Sequence, residues 1–509
     1  MANWTHIFSL TLPHLWLLTG TLLVLLAEGI TPRRWNAGGW TAVSVFAVGA
    51  VLSSWAAQDG ELWQGLYVWD GYARMLTTLI MSIGALVCLS SVCCEEWQKT
   101  GDRGSYYALL LLSALGFTLI SSAGSLLTLY ITLEIGTVSL FALAGHRKTD
   151  PRSGESALKL LIVSATSSAI LLYGVSLVYG AYGTTVYSQL PAGLLPGAGE
   201  SQLGLLGIVG MVLVIGGLAF KITAAPFHLW VADVYQGAPT PISAFLSTAS
   251  KTAGFAALLR LLIIGLHGAE DIWVMALVAL SALSMVLGNL VALAQSSLKR
   301  LLAYSSVAQA GYLLVAVVSG VELGLGATLF YLLLYAFANA GAFFVAQALQ
   351  GNVGSEEIDA LRGLRYRSPA LAFSMLIFLL SLGGIPPLAG FWGKLYLFWA
   401  GASEGHYVLV LVGAITSVVA LYYYLMVAKR MFIDAPEEES PFRFRRSLST
   451  AIAICVVATA IIGLYPRPWL EWSYASTFLT LPPDLPRTAT QHLQGQNVTV
   501  AGSESEKSR

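Results

Sequence analysis

Apolar residues fill this chain in long runs from Leu10 to Tyr465, separated by short segments that hold most of the Pro, Arg and Lys. A helix that crosses a bilayer needs about 20 mostly apolar residues, and that rule predicts about fourteen segments. They centre near Leu18, Val48, Ile83, Leu115, Glu134 and Ile170, and the seventh runs from Leu203 to about Trp230. The later ones centre near Ala253, Ser284, Gln309, Tyr335, Gly384, Ile415 and Val456. Closed strand barrels alternate in short segments, which these runs do not. The predicted fold class is therefore all-α, a polytopic membrane bundle.

Two spans interrupt their own helix. The seventh contains Phe220-Lys221-Ile222-Thr223-Ala224-Ala225-Pro226-Phe227-His228 and the twelfth contains Gly383-Gly384-Ile385-Pro386-Pro387. Proline removes a backbone donor and clashes with the preceding turn, so the freed carbonyls must face protein or water rather than lipid. The breaks lie five spans apart. That spacing predicts that spans four to eight and nine to thirteen are two copies of a five-helix unit, the second inverted, an arrangement common among transporters. The expected divisions are 1–103 for three leading spans, 104–268 and 269–430 for the two repeats, and 431–509 for a cytoplasmic loop, the last span and a loose tail.

Composition narrows the class. Of 509 residues, 56% are hydrophobic and 11% charged, against about 25% charged in an ordinary soluble protein. No polar stretch is long enough for a water-soluble catalytic domain, which excludes a cytosolic enzyme. The 27 Lys and Arg balance the 27 Asp and Glu, so no global field points to nucleic acid. Cys88, Cys93, Cys94 and Cys455 lack metal-ligand spacing with His. Met1 to His14 holds no Lys or Arg, so Leu10 to Ala27 reads as a retained span rather than a cleaved signal. Loops after odd-numbered spans carry nearly all the basic residues, Lys99, Arg147, Lys148, Arg300, Arg365 and Lys429 among them, while those after even-numbered spans hold essentially Arg74 alone. Basic loops stay in the cytoplasm, which places both termini outside it.

Electrostatic chemistry must then lie in individual buried charges. A charged side chain at mid-membrane costs about 2.5 to 3.5 kcal/mol on insertion scales. Glu134 sits in the middle of the fifth span, Lys221 immediately precedes the first break, Lys251 lies about ten residues into the eighth span, and Lys394 follows the second break by about two turns. They lock helices together as ion pairs, snorkel to an interface, for which Lys251 and Glu134 lie too deep, or form a proton relay. Lysine is the side chain whose proton affinity responds most to burial and to a neighbouring carboxylate, so Glu134 and Lys221 form the expected switching pair. His228 and Lys159 are weaker candidates for proton transfer, the first equally suited to a structural hydrogen bond and the second to snorkelling. Arg260 reads as an anchor. Tyr304, Gln309, Tyr335 and Asn339 suit a water chain or ordinary helix packing. Phosphate loops, dinucleotide fingerprints and iron–sulfur cysteine frameworks are missing from the sequence.

The string from Phe220 to Trp230, then Asp233-Val234-Tyr235-Gln236-Gly237-Ala238-Pro239-Thr240-Pro241 and Ser247-Thr248-Ala249-Ser250-Lys251, resembles the antiporter-like subunits of the proton-pumping NADH-quinone oxidoreductase, respiratory complex I. Leu298 to Ser306 and Gly384 to Lys394 extend the resemblance, which covers about Gly104 to Arg430. Within the family the pattern is similar to subunit N: Lys251 stands where the larger relatives L and M usually carry histidine, and Ala336 to Phe343 lacks their eleventh-span His/Lys motif. The resemblance implies fourteen helices, the inverted repeat and a proton path through Glu134, Lys221, Lys251 and Lys394. It implies a multi-pass location in the cytoplasmic (inner) membrane and translocase activity without redox chemistry in this chain. Cofactors are then expected only in partner subunits, as NADH, FMN, iron–sulfur clusters and quinone. The implied partners are the antiporter-like subunits M and L, the small subunits K, J and A, and lipid, with no nucleic acid. A stand-alone cation/proton antiporter and a structural spacer remain the alternatives.

Overall fold

The computed structural model describes residues 4–31, 36–56, 58–92, 103–191, 201–436 and 445–476. Cys93, Cys94 and the tail beyond residue 476 lie outside the described residues. Thirteen described helices are long and apolar enough to cross a membrane. They fall at every predicted position but the twelfth, which is split into two helices of 15 residues, Pro369–Gly383 and Ala389–Ser403, each too short to cross by itself.

Local chemistry sets the helix ends. Asp70 caps the third span, Gly71–Ser91, by accepting from Ala73 N at 2.8 Å, and Ser125 caps the fifth, Leu126–Ala144, by accepting from Thr128 N at 3.1 Å. Such side chains supply the partners that the first amides of a helix lack. Asp150 followed by Pro151 starts the sixth span, Pro151–Tyr182. The loop between spans two and three folds into a small antiparallel hairpin, Gly60–Leu62 with Tyr67–Trp69, which hydropathy does not reveal.

The helices divide into an inner and an outer set. The eighth, tenth and eleventh spans, Thr240–Gly265, Leu298–Val317 and Leu323–Val353, are 89%, 89% and 94% buried, whereas the ninth and thirteenth, Glu270–Leu293 and Tyr407–Phe432, are each 33% buried and turn most of their surface outward. The two outer spans are the more apolar, because lipid rather than water meets their exposed faces, and the inner three carry more of the polar side chains. The eighth span is irregular, with π-helical turns at Leu246–Ser250 and Leu261–Gly265. Such turns often mark functional positions in helices.

Both breaks fall where the prolines predict. Helix Ser201–Lys221 stops at Lys221, and a non-helical stretch leads to the short helix Val231–Gly237. In the twelfth span Gly384 takes a positive φ of 86°, a backbone shape that a side chain resists. The freed backbone groups meet protein, as expected: Gly383 O accepts from Lys394 Nζ at 3.1 Å, Leu382 O accepts from Gln309 Nε2 at 3.2 Å, and Ala225 N donates to Ser284 Oγ at 2.8 Å.

Candidate functional site

The fifth, sixth and seventh spans pack in sequence, which brings the acid and the first lysine to opposite ends of one serine pair. Glu134 stands half-buried at the rim of the bundle beside exposed Ile131 and Ile135, and its carboxylate accepts from Ser168 Oγ at 2.5 Å. Lys221, 7% exposed, donates to Ser164 Oγ at 2.7 Å. Ser164 and Ser168 are one turn apart on the sixth span, and side chains so spaced are neighbours. The expected Glu134–Lys221 pair is thus separated by two hydroxyls rather than joined as an ion pair.

Lys251 follows immediately on the first π turn and is 1% exposed. Its ammonium donates to Ser306 Oγ at 2.5 Å and to the Ser306 carbonyl, and lies 5.5 Å from the centre of the Tyr335 ring. The backbone of Lys221 packs onto the same helix at Gly254, where a Cβ would stand 3.2 Å from the Lys221 carbonyl carbon. Close packing of the break against the eighth span therefore depends on a residue with no side chain, one turn from Lys251.

From Ser306 a polar edge of the tenth span leads to the second break. Ser305 Oγ lies 2.6 Å from Tyr424 OH, Gln309 accepts from Tyr331 OH while donating to Leu382 O, and Tyr312 OH accepts from Asn289 Nδ2 at 3.0 Å and donates to Thr416 Oγ1 at 3.3 Å. Lys394, 5% exposed, ends this line: besides its bond to Gly383 O, its ammonium lies 4.6 Å from the centre of the Tyr312 ring. Ammonium groups over aromatic faces gain electrostatic stabilisation without a counter-ion. Among the described residues no carboxylate pairs with Lys251 or Lys394.

The weaker candidates lie off this line. His228 is buried, its ring 6.3 Å from that of Tyr304 and its Nδ1 without a hydrogen-bond partner. Lys159 is held in ion pairs with Glu155 at 2.7 Å and Asp233 at 2.6 Å. Arg300 also reaches Asp233, at 2.7 Å, so this cluster ties helix Val231–Gly237 to the sixth and tenth spans. Burial opposes the charge of Asp233, but the bonds from Lys159 and Arg300 outweigh it and hold the carboxyl below the usual carboxylate range. Arg260 forms a fully buried ion pair with Asp70 at 2.8 Å, consistent with an anchor. Tyr335 OH and Asn339 Oδ1 are buried without partners near Lys251.

Sequence reasoning missed Ser164, Ser168, Ser306 and Tyr312. The run Ser164-Ala165-Thr166-Ser167-Ser168 was the available signal for the first two, and the spacing of Ser305, Ser306, Gln309 and Tyr312 along one helix for the others.

Residues 123–420 match the family described as NADH:quinone oxidoreductase/Mrp antiporter, transmembrane. A relative from Desulforamulus reducens, named NADH-quinone oxidoreductase subunit N, is 43% identical over 84% of this chain and 88% of its own. One from Synechococcus elongatus, named NAD(P)H-quinone oxidoreductase subunit 2, is 40% identical over 91% and 92%. A chain in the structure of respiratory complex I from Thermus thermophilus superposes with a TM-score of 0.76 and 34% identity over 90% of this chain and 98% of that one. With its helical bundle, its two breaks and its buried lysines, the chain belongs to the NADH:quinone oxidoreductase/Mrp antiporter family of membrane subunits, on the branch of subunit N.

Proposed function

We propose that this chain is the antiporter-like membrane subunit of a proton-pumping NADH-quinone oxidoreductase, seated in the inner membrane beside the antiporter-like subunits M and L and the small subunits K, J and A. The observation that supports it is the set of buried lysines, Lys221, Lys251 and Lys394, each held by neutral hydrogen-bond acceptors inside an apolar bundle, with Glu134 at its rim. A set of clamped ion pairs would look different, because a lock needs a counter-charge on each amine and Lys251 and Lys394 have only neutral partners. Quinone, flavin and clusters belong to partner subunits in this reading. The two breaks, five spans apart, support treating 104–268 and 269–430 as inverted copies of one unit.

In this mechanism, charge displaced along the membrane arm by quinone chemistry acts first on Glu134, which stands at the rim. The serine pair lets its carboxylate influence Lys221 without fixing the two in contact. A proton leaving Lys221 passes by water to Lys251, and from there along Ser306, Gln309 and Tyr312 to Lys394, from which it departs to the outside. Neutral hydroxyls and amides carry protons by exchanging hydrogen bonds with water, and they take the place of the eleventh-span histidine of subunits L and M.

Replacing Lys221 or Glu134 with Ala should abolish coupled pumping while leaving the complex assembled, measured as dye-reported proton uptake by liposomes containing the purified complex. Full pumping by well-assembled variants overturns the assignment in favour of a structural spacer. Sodium–proton exchange by the isolated chain overturns it in favour of a stand-alone antiporter.

A further inference from the structure

Away from the lysines, an apolar groove of about 200 Å³ opens on the surface of the bundle between the seventh and ninth spans, with Met211, Gly216, Phe227, Ala269, Trp273 and Leu280 in its lining. Its extent follows from the chain. Ala269 immediately precedes helix Glu270–Leu293, and Leu280 lies ten residues into that helix, about 15 Å at 1.5 Å per residue. Phe227, at the deep end, follows Pro226 of the first break. The groove therefore covers one half of the roughly 30 Å hydrocarbon layer, the half away from the basic loops.

The polar features gather at the end near Ala269. Trp273 is 5% exposed, and its Nε1 has no hydrogen-bond partner. A buried indole N–H without an acceptor is uncommon, because such a donor normally finds one. The same side chain also lines a second cavity, of about 330 Å³, together with His267, Glu270, Glu404 and His406. Glu270 accepts from Gly268 N at 3.0 Å and lies 3.7 Å from His267, yet half of its side chain stays exposed. Among the described residues neither lining holds a lysine or an arginine.

We propose that the groove binds a phospholipid with a primary-amine head group, of the phosphatidylethanolamine class. One acyl chain lies along the groove from Ala269 to Phe227, the Trp273 N–H donates to a phosphate or ester oxygen, and the ammonium sits beside Glu270 in the second cavity. Volume selects a single chain, because a helix is about 10 Å across and does not enter a groove of about 200 Å³. Charge selects the head group: two carboxylates with no lysine or arginine favour an ammonium and disfavour a lipid of net negative charge. The end of the chain packs on Phe227 and so covers the exposed side of the first break, where Pro226 is exposed as well. The site stands apart from the pumping role proposed above and does not depend on it.

The test uses the protein in its native assembly, purified in mild detergent and placed in phosphatidylcholine vesicles with a trace of phosphatidylethanolamine that carries a photoactivatable diazirine in one acyl chain. Labelled peptides are read by mass spectrometry. Labelling at Met211, Phe227 and Leu280 should exceed that at Ile415 and Val418, which are exposed on the thirteenth span. Equal labelling, or none in the groove because a neighbouring subunit fills it, overturns the site. Added unlabelled phosphatidylethanolamine should displace the probe where phosphatidylglycerol does not, and equal displacement by both overturns the choice of head group. A Cβ at Gly216 meets nothing within 4 Å, so Gly216→Phe occupies the groove and should bring labelling down to the level at Ile415. Trp273→Phe should lower it about fivefold, the equivalent of one hydrogen bond. Unchanged labelling in Gly216→Phe overturns the groove, and in Trp273→Phe its polar anchor. The comparison with Ile415 uses unaltered protein, so it decides the matter even where a variant does not assemble.

Discussion

The two broken spans solve the same problem with different partners. At the first, Lys221 bonds a side-chain hydroxyl, Ser164, and an acid waits one helical turn further on, bonded to Ser168. At the second, Lys394 bonds a main-chain carbonyl released by its own break and lies over a tyrosine ring. The carbonyl and the ring are fixed dipoles, while Glu134 is a carboxylate standing at the rim of the bundle. In the proposed mechanism the first break is therefore open to control from the rim of the subunit, and the second responds to what reaches it along the tenth span. In that reading two proline-marked interruptions serve as an input and an output.

The most severe way to break this comparison is to remove the output. Lys394→Met should lower coupled proton uptake by about 100-fold, the range expected for a lost proton-transfer group, with the complex intact on native gels. Near-normal uptake would leave the second break as scaffold. A smaller effect sharpens the input side: Ser164→Ala with Ser168→Ala removes the hydroxyls between acid and amine but keeps both charges. Uptake should fall about fivefold, the equivalent of roughly 1 kcal/mol for a hydrogen bond, and an unchanged rate would mean that Glu134 acts on Lys221 across space alone. The smallest effect concerns the clasp at Asp233. Its carboxyl is held below its ordinary value of 3.8, so its contribution is complete above that pH and disappears as pH falls through the lowered value. Asp233→Asn should cost less than about 1 kcal/mol near neutral pH and nothing once the wild-type carboxyl is protonated. Thermal melts that show the same deficit at both pH values would contradict the clasp.

Span positions were legible because a bilayer imposes one length on every crossing helix, and Leu18 through Val456 fall on helices or, at Gly384, on the break itself. The broken twelfth span was legible too, since Pro386 and Pro387 leave few alternatives. Depth along a helix follows from counting residues, which is why Glu134, Lys221, Lys251 and Lys394 stood out. Rotation about the axis does not follow from counting. Whether Glu134 faced Lys221 directly or across Ser164 and Ser168 depended on how the sixth span turns between them, and a serine run reads equally as packing. Lys159 illustrates the same gap: its partner Asp233 lies 74 residues away and meets it only because the first break redirects the chain.

The tenth span is gripped on nearly every side, and interiors packed like crystals resist displacement. A rod held so tightly has no free volume into which to slide or swivel, so a piston stroke at this place would have to empty the surrounding packing. In the proposed relay, traffic past Ser306, Gln309 and Tyr312 is consequently a matter of reorienting hydrogens, at the speed of hydroxyl rotors, while the skeleton keeps still.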